Sequence, residues 1–427
     1  MKLLRQVWEQ VRQDRLFSAI YIAGVALAIA TTMVFAIVYY VKLAPVYPEY
    51  NRANTYIVSR VFYRHGQNQN LTSLSLKAVR ELFYPIQNAE TISAEGYYDG
   101  DEFIQPFDGS GDFQTKVRAV DPEFFKIFSY NFVEGTPLTD ADLESGIHNA
   151  VITAGLADRI FGSHTGIVGQ IFSLDNTEWR VTGVIEDPSA LTPDSYGQIF
   201  LPYSTQPGYG STWMLEYLGS YKVRILTKDS DHANAMKDEL ADAVRRYNAS
   251  LAGTDLDGWE FGLSVSSYYQ NIIGASSLNE ILRSYGITLL VLLMVPALNL
   301  SGIIAGRMES RMPEIGVRQS FGATRGNLLR RILAENLVLT VSGGIFGLIL
   351  AEIAITLGKG WIFTLFEDFP DISGDTSANI LTADMLFAPG IFLGALTVCL
   401  ILNILAALIP AWWSLRHPIT ESLNLKK

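Results

Sequence analysis

The sequence predicts an α-helical membrane protein with four transmembrane helices and one α+β extracytoplasmic domain. Three observations carry that class. Four apolar runs, at 17–41, 285–306, 332–357 and 387–413, each exceed the ~20 residues that cross a hydrocarbon core of about 30 Å as a helix. The 427 residues are 49% hydrophobic and 18% charged, too apolar for an ordinary soluble chain and too charged to lie wholly in lipid. The acidity is partitioned: residues 42–279 hold 17 Lys and Arg against 30 Asp and Glu, a net of −13, which exceeds the −11 of the whole chain.

The first run follows a basic start, "MKLLRQVWEQVRQDRL", and contains "ALAIA", so a cleaved signal peptide is the competing reading. Apolar sequence continues through "TTMVFAIVYYV", beyond the roughly 7–15 residues of a signal core, and an uncleaved anchor behind a short segment 1–16 is expected. Orientation follows from the short flanks. Lys2, Arg5, Arg12 and Arg15 surround the start, six arginines lie in 307–331, and Arg416, Lys426 and Lys427 follow the last run, whereas 358–386 has only Lys359 against five acids. The positive-inside rule places 1–16, 307–331 and the tail 414–427 in the cytoplasm, and 42–279 and 358–386 outside.

In the external segment, "NTYIVSRVFYR", "LSLKAVRELFYPI" and "ETISAEGYY" read as strand, helix, strand, and "SYKVRILTK", "DHANAMKDELADAVRRY" and "WEFGLSVSSY" repeat the order around a central portion of roughly 100–218. No catalytic or metal site is expected. His65, His148, His164, His232 and His417 are scattered, no G-x-S-x-G occurs, and "GYGST" at 208–212 reads as a turn. The net −13 disfavours nucleic acid. Cys399, the single cysteine, excludes an intramolecular disulfide.

The most ordered short segment is "AGRMESRMPEIGVRQSFGATRGNLLRRILAENL", 305–337. A basic loop between spans is also what topology alone demands, but this one has helix punctuation. Pro313 at a first helical position, Glu314 behind it and Gly322 as a stop outline a short helix, with Val317 and Phe321 on one face and Glu314 and Arg318 as an i,i+4 pair. Thr324 then caps a second helix that runs into the third span.

These residues resemble the motif of the MacB/FtsX-type ABC transporter permeases, approximately R-x-x-E-I-G-[IV]-R-x-x-x-G-A-[ST] with a Glu early in the next span. "RQVWEQVRQDRLFSAIYIAGVALAIA" resembles the family's first span. "AVDPEFFKIFSYNFVEGTPL", "NAVITAGLADRIFG", "GQIFSL" and "WRVTGVIEDP" resemble its MacB-like extracytoplasmic domain, and "IPAWWSLRHPITESL" its carboxyl end. The resemblance implies a porter-like subdomain with an inserted second subdomain, in a multi-pass protein of the bacterial inner membrane. It implies a coupling helix of Pro313, Glu314, Ile315, Gly316, Val317, Arg318, Phe321, Gly322 and Ala323 that contacts an ABC ATPase. The chain has no G-x-x-x-x-G-K-[ST] and only about 16 residues before the first span, so a separate ATPase dimer is expected to carry ATP and Mg, with no cofactor on this chain. A second permease chain, identical or related, and a periplasmic adaptor are the other candidate partners besides lipid.

Trp412 and Trp413 depart from the family pattern and read as interfacial anchors. Gly343, Gly347 and Ala351, spaced i, i+4, i+8, form a small-residue stripe suited to close helix packing. Glu335 matches the family's glutamate and is expected to pair with a loop arginine. Pro296 offers a hinge in the second span. The implied function is mechanotransmission: ATP-driven motion of the ATPase passes through the spans to the external domain, serving export of a peptide, antibiotic or amphiphile. The alternatives are FtsX-like control of cell-wall hydrolases and lipoprotein extraction.

Overall fold

A computed structural model describes residues 15–98, 100, 102–106, 111–212, 216–274, 278–321, 324–362 and 389–414. The chain divides into two compact units, one of long helices (residues 1–40, 279–363 and 383–427) and one globular (41–278 and 364–382).

The globular unit takes up the chain in the last turn of the first long helix, α1 (Arg15–Leu43). Its first part contains β1 (Thr55–Val58), β2 (Val61–His65), β3 (Asn68–Leu74), α2 (Leu76–Ala78, continued by a wider turn over Val79–Phe83) and β4 (Thr91–Gly96). An inserted portion follows: β5 (Phe103–Gln105), β6 (Phe113–Gln114), β7 (Val117–Val120), α3 (Phe124–Ile127), β8 (Phe132–Gly135), α4 (Asp140–Ser145), β9 (Asn149–Thr153), α5 (Ala154–Phe161), β10 (Ile171–Leu174), β11 (Thr177–Ile185) and β12 (Ile199–Pro202). The chain then returns through β13 (Leu218–Gly219), β14 (Tyr221–Leu226), α6 (Ser230–Ser250), β15 (Trp259–Leu263), β16 (Ser266–Ser267) and α7 (Tyr268–Ile273).

The two ends of this segment build one layer. Strands β16, β1, β14 and β4 lie side by side, antiparallel throughout, in a split βαβ arrangement with the helical segments as crossovers. The core here includes Val58, Val79, Phe83, Ala94, Val223, Ile225, Met236 and Leu240. Helix α6 supplies Ala233, Met236, Leu240 and Ala243, the spacing of one buried helical face, and Asp229 caps it by accepting from the backbone N–H of Asp231 and His232.

Two strands expected from the sequence are each split. "NTYIVSRVFYR" forms β1 and β2, and "WEFGLSVSSY" forms β15, which pairs with β2, and β16, which pairs with β1. Strand β3 was not legible: "NQNLTSL" is polar because four of its seven residues are exposed, so no apolar alternation marks it. The inserted portion joins at β7, which pairs with β4, and continues as a mixed sheet through β12, β9, β11 and β10. Asp175 and Asn176, both at positive φ, close the β10–β11 hairpin, as a two-residue turn of matching twist requires.

The helical unit contains α1, α8 (Leu278–Ser320), α9 (Arg325–Ile362) and α10 (Pro389–Ser414). Among the described residues, Arg15–Leu43 and Gly326–Gly358 are long and apolar enough to cross a membrane, and Gly390–Leu405 is a shorter apolar stretch. The expected short helix starting at Pro313 is corrected: Pro296 and Pro313 both lie inside the single 43-residue helix α8. An internal proline removes one backbone hydrogen bond, here to the Glu309 carbonyl, and unbroken helix on both sides carries the chain through. Residues 1–14, most of the 358–386 loop and the tail from 415 lie outside the described residues.

Candidate functional site

The connection between α8 and α9 is four residues long. Helix α8 ends at Ser320, and the Phe321 N–H donates to the Val317 carbonyl at 3.2 Å. Phe321 is 88% exposed and Val317 46%. Thr324 caps α9, its Oγ1 accepting from Asn327 N at 3.3 Å. Pro313, Glu314, Ile315, Gly316 and Arg318 lie on the helical backbone of α8, their side chains outside the described part, as are Gly322 and Ala323 altogether.

The small-residue stripe of α9 faces α1. A Cβ on Gly343 would stand 2.7 Å from Val25 Cβ and 3.1 Å from the Ile22 carbonyl oxygen, and one on Gly347 2.7 Å from the Ala26 carbonyl oxygen and 2.9 Å from Ile29 Cβ. Ala351 is 1% exposed. Between these glycines, Gly344 turns toward α10, where its Cβ would lie 2.5 Å from Leu396 Cδ1. One turn before Gly343, Thr340 Oγ1 bonds Tyr21 of α1 at 3.2 Å and accepts from Asn403 Nδ2 of α10 at 3.5 Å. Three helices therefore meet at one buried polar point. Glu335 is also buried, 3% exposed, on α9. Trp412 and Trp413 fall on the backbone of α10, with side chains outside the described part.

Two buried charge networks organise the globular unit, and no sequence motif announced either. In the first, Glu49 accepts from Arg52 Nε at 2.9 Å, Tyr268 OH at 2.5 Å, and Ser195 N and Oγ at 2.9 and 2.8 Å. Arg52 Nη1 donates to the carbonyls of Val41 (2.5 Å) and Ala44 (2.6 Å). The segment that follows α1, helix α7 and the loop after β11 are thus held by one carboxylate. Its partners lie up to 219 residues away from it, so only the local Glu49–Arg52 spacing could have hinted at it.

In the second network, Glu95 of β4 accepts from Arg118 of β7 at 2.8 Å and Arg224 of β14 at 2.5 Å, with Lys222 Nζ 3.1 Å away. Arg224 also forks onto Asp194 at 2.6 and 2.9 Å. Register explains the cluster: Glu95 pairs with Lys222 across β4 and β14, and Arg224 is two residues on, on the same face. Burial pushes the Glu95 carboxyl up, but Arg118, Lys222 and Arg224 together hold it well below the usual carboxylate range. Among the described residues, no group of three or more His, Cys, Asp or Glu could hold a metal ion.

Long apolar helices, two of them able to cross a membrane, and a globular unit of mixed α/β topology make up the described chain, the architecture of a membrane-anchored protein. Residues 18–243 match the MacB-like periplasmic core domain and residues 286–419 the FtsX-like permease C-terminal domain. The chain belongs to the MacB/FtsX family of ABC transporter permeases. It is 23% identical over 89% of its length to the pyoverdine export ATP-binding/permease protein PvdT of Pseudomonas syringae, covering 55% of that protein. It is 26% identical over 62% of its length to a macrolide export ATP-binding/permease protein, MacB 2, of Yersinia pestis, covering 37% of it. The chain thus spans about half or less of the length of these relatives. The crystal structure of the periplasmic region of MacB from Actinobacillus actinomycetemcomitans aligns over 53% of this chain and 95% of that one, at 15% identity and a TM-score of 0.37.

Proposed function

We propose that this chain is the four-span, non-catalytic permease subunit of an ABC exporter and transmits ATP-driven motion of a separate ATPase pair to its extracytoplasmic domain. The spans are 17–41, 285–306, 332–357 and 387–413, with both termini and 307–331 cytoplasmic. Residues 1–427 contain no G-x-x-x-x-G-K-[ST], which supports placing ATP and Mg outside these residues. The names of the relatives, macrolide and pyoverdine export, favour export over the signalling alternative.

The observation that carries this reading is the exposed apolar pair Val317 and Phe321 at the end of α8, directly before the Thr324 cap of α9. An apolar surface at the end of α8 and the start of a four-residue connection is suited to burial by a partner, and any push on it reaches two long helices at once. The coupling residues are Pro313, Glu314, Ile315, Gly316, Val317, Arg318, Phe321, Gly322 and Ala323.

Glu314→Ala with Arg318→Ala removes one charge of each sign and leaves the topology signal unchanged. Normal insertion with a loss above roughly tenfold in ATPase co-purification is expected, since truncating a desolvated pair costs about 2 kcal/mol or more. A loss below about twofold, the size of an exposed pair, would sink the coupling role.

A further inference from the structure

The globular unit contains an open cleft of about 1010 Å³ whose walls include Ser59, Ser73, Tyr97, Lys116, Ser220 and Lys222. Glu95, Arg118 and Lys222 of the second charge network line it too. Three cations, Arg118, Lys222 and Arg224, meet two anions there, Glu95 and Asp194, so the cluster carries one positive charge in surplus. That surplus has an address. Arg224 is fully buried and committed to Glu95 and Asp194. Arg118 is likewise buried, and its other nitrogens donate to the carbonyls of Tyr196 (2.5 Å) and Pro193 (2.7 Å).

Lys222 differs from both arginines. Its side chain is 34% exposed, it lines the cleft, and among the described residues its only ion-pair partner is a carboxylate already shared by two arginines. Burial and then the neighbouring Arg224 pull its ammonium down to about 8. At the rim, Lys116 pairs with Glu102 at 3.0 Å and Tyr98 donates to Asp175 at 2.8 Å, while the Tyr97 ring is 70% exposed.

We infer that this cleft binds an organic anion, a carboxylate or phosphate carried on a partly apolar body, with Lys222 meeting the charge and Tyr97 the apolar part. The volume suits a drug-sized ligand, for which clefts run roughly 300–1,000 Å³. Serines 59 and 220 also line the same space, while the Ser73 hydroxyl donates to the Ser59 carbonyl at 3.4 Å. The inference rests on the cleft alone and stands independently of the transport reading.

The test uses the unsubstituted full-length protein in nanodiscs, so no variant need fold. Lysines are labelled with limiting acetic anhydride at about pH 8 and quantified residue by residue, with Lys228 and Lys237 as internal references. The probes are inorganic phosphate, N-acetylphenylalanine and the neutral amide of the latter. An anion beside Lys222 that raises its ammonium by one unit lowers the reactive fraction from about a half to about a tenth, roughly a fivefold protection. N-acetylphenylalanine is expected to protect Lys222 severalfold while Lys228 and Lys237 keep their reactivity, and the amide to protect nothing. Protection by phosphate as well would place the recognition in the charge. Unchanged Lys222 reactivity with both anions, protection by phosphate alone, or equal protection by acid and amide, overturns the inference.

Discussion

Glu49 and Arg52 form an ion pair sealed from solvent: Nε and Oε2 are 2.9 Å apart and each side chain is 1% exposed. The same carboxylate holds Ser195 and Tyr268, so the pair is a junction. Removing one partner of a buried pair strands the other charge at a cost of about 3–5 kcal/mol, whereas replacing both with apolar or neutral groups costs much less. Glu49→Ala should therefore lower the stability of the full-length protein by several kcal/mol in urea unfolding. Glu49→Gln with Arg52→Met should recover part of that loss. Equal stability of Glu49→Ala and the parent would show that the junction holds nothing.

Burial pushes the Asp121 carboxyl up to about 7, against hydrogen bonds from Ala94 N, Ser93 Oγ and Phe124 N. A carboxyl raised on folding stabilises the fold while protonated. Its contribution is complete below the unfolded value near ~4 and is lost as pH rises through about 7. The melting temperature should fall between about pH 4 and 7, and Asp121→Asn should flatten most of that slope. Asp187, also raised by burial, leaves a residue of it. A slope identical in the variant would assign it elsewhere.

Gly347→Leu forces a side chain into the Ala26 carbonyl and Ile29, so α1 and α9 must part. Overpacking of this kind costs about 1–3 kcal/mol. Membrane insertion should persist, because hydrophobicity rises, while thermal stability and the yield of assembled complex fall. Normal assembly on native gels would show that the contact is dispensable.

Single-cysteine labelling of intact cells tests the proposed orientation. In a Cys399→Ser background, Ser211→Cys and Ser320→Cys both place thiols at exposed positions. An impermeant maleimide should label position 211 and spare 320 until the membrane is opened. The reverse pattern would invert the topology.

The long helices and the two helix-bearing ends of the globular unit were legible because their signals are local: apolar run length, the 3.6-residue spacing of Ala233, Met236, Leu240 and Ala243, and the Thr324 cap. The two charge networks were not legible. Glu95 meets Arg118 and Arg224 across 23 and 129 residues, and only strand register brings them together. Sequence spacing did mark Gly343 and Gly347, but not the helix they face, because what they meet on α1 is the carbonyls of Ile22 and Ala26 and the branched side chains of Val25 and Ile29, which no small-residue spacing singles out. Pro313 misled for a physical reason: proline suits both a helix start and a tolerated interior position, and only the continuous backbone distinguishes them.

That continuity gives α8 a phase as well as a length. Each residue turns the helix by about 100° and advances it 1.5 Å, so deleting one residue from the middle of the rod would swing Val317 and Phe321 to another face relative to Leu278. Removing seven residues would restore the facing to within about 20° and shorten the rod by roughly 10 Å. Substitution can drift along this segment one residue at a time. Insertion and deletion can be accommodated only in near-whole turns, so the distance from the start of α8 to the connection is quantised.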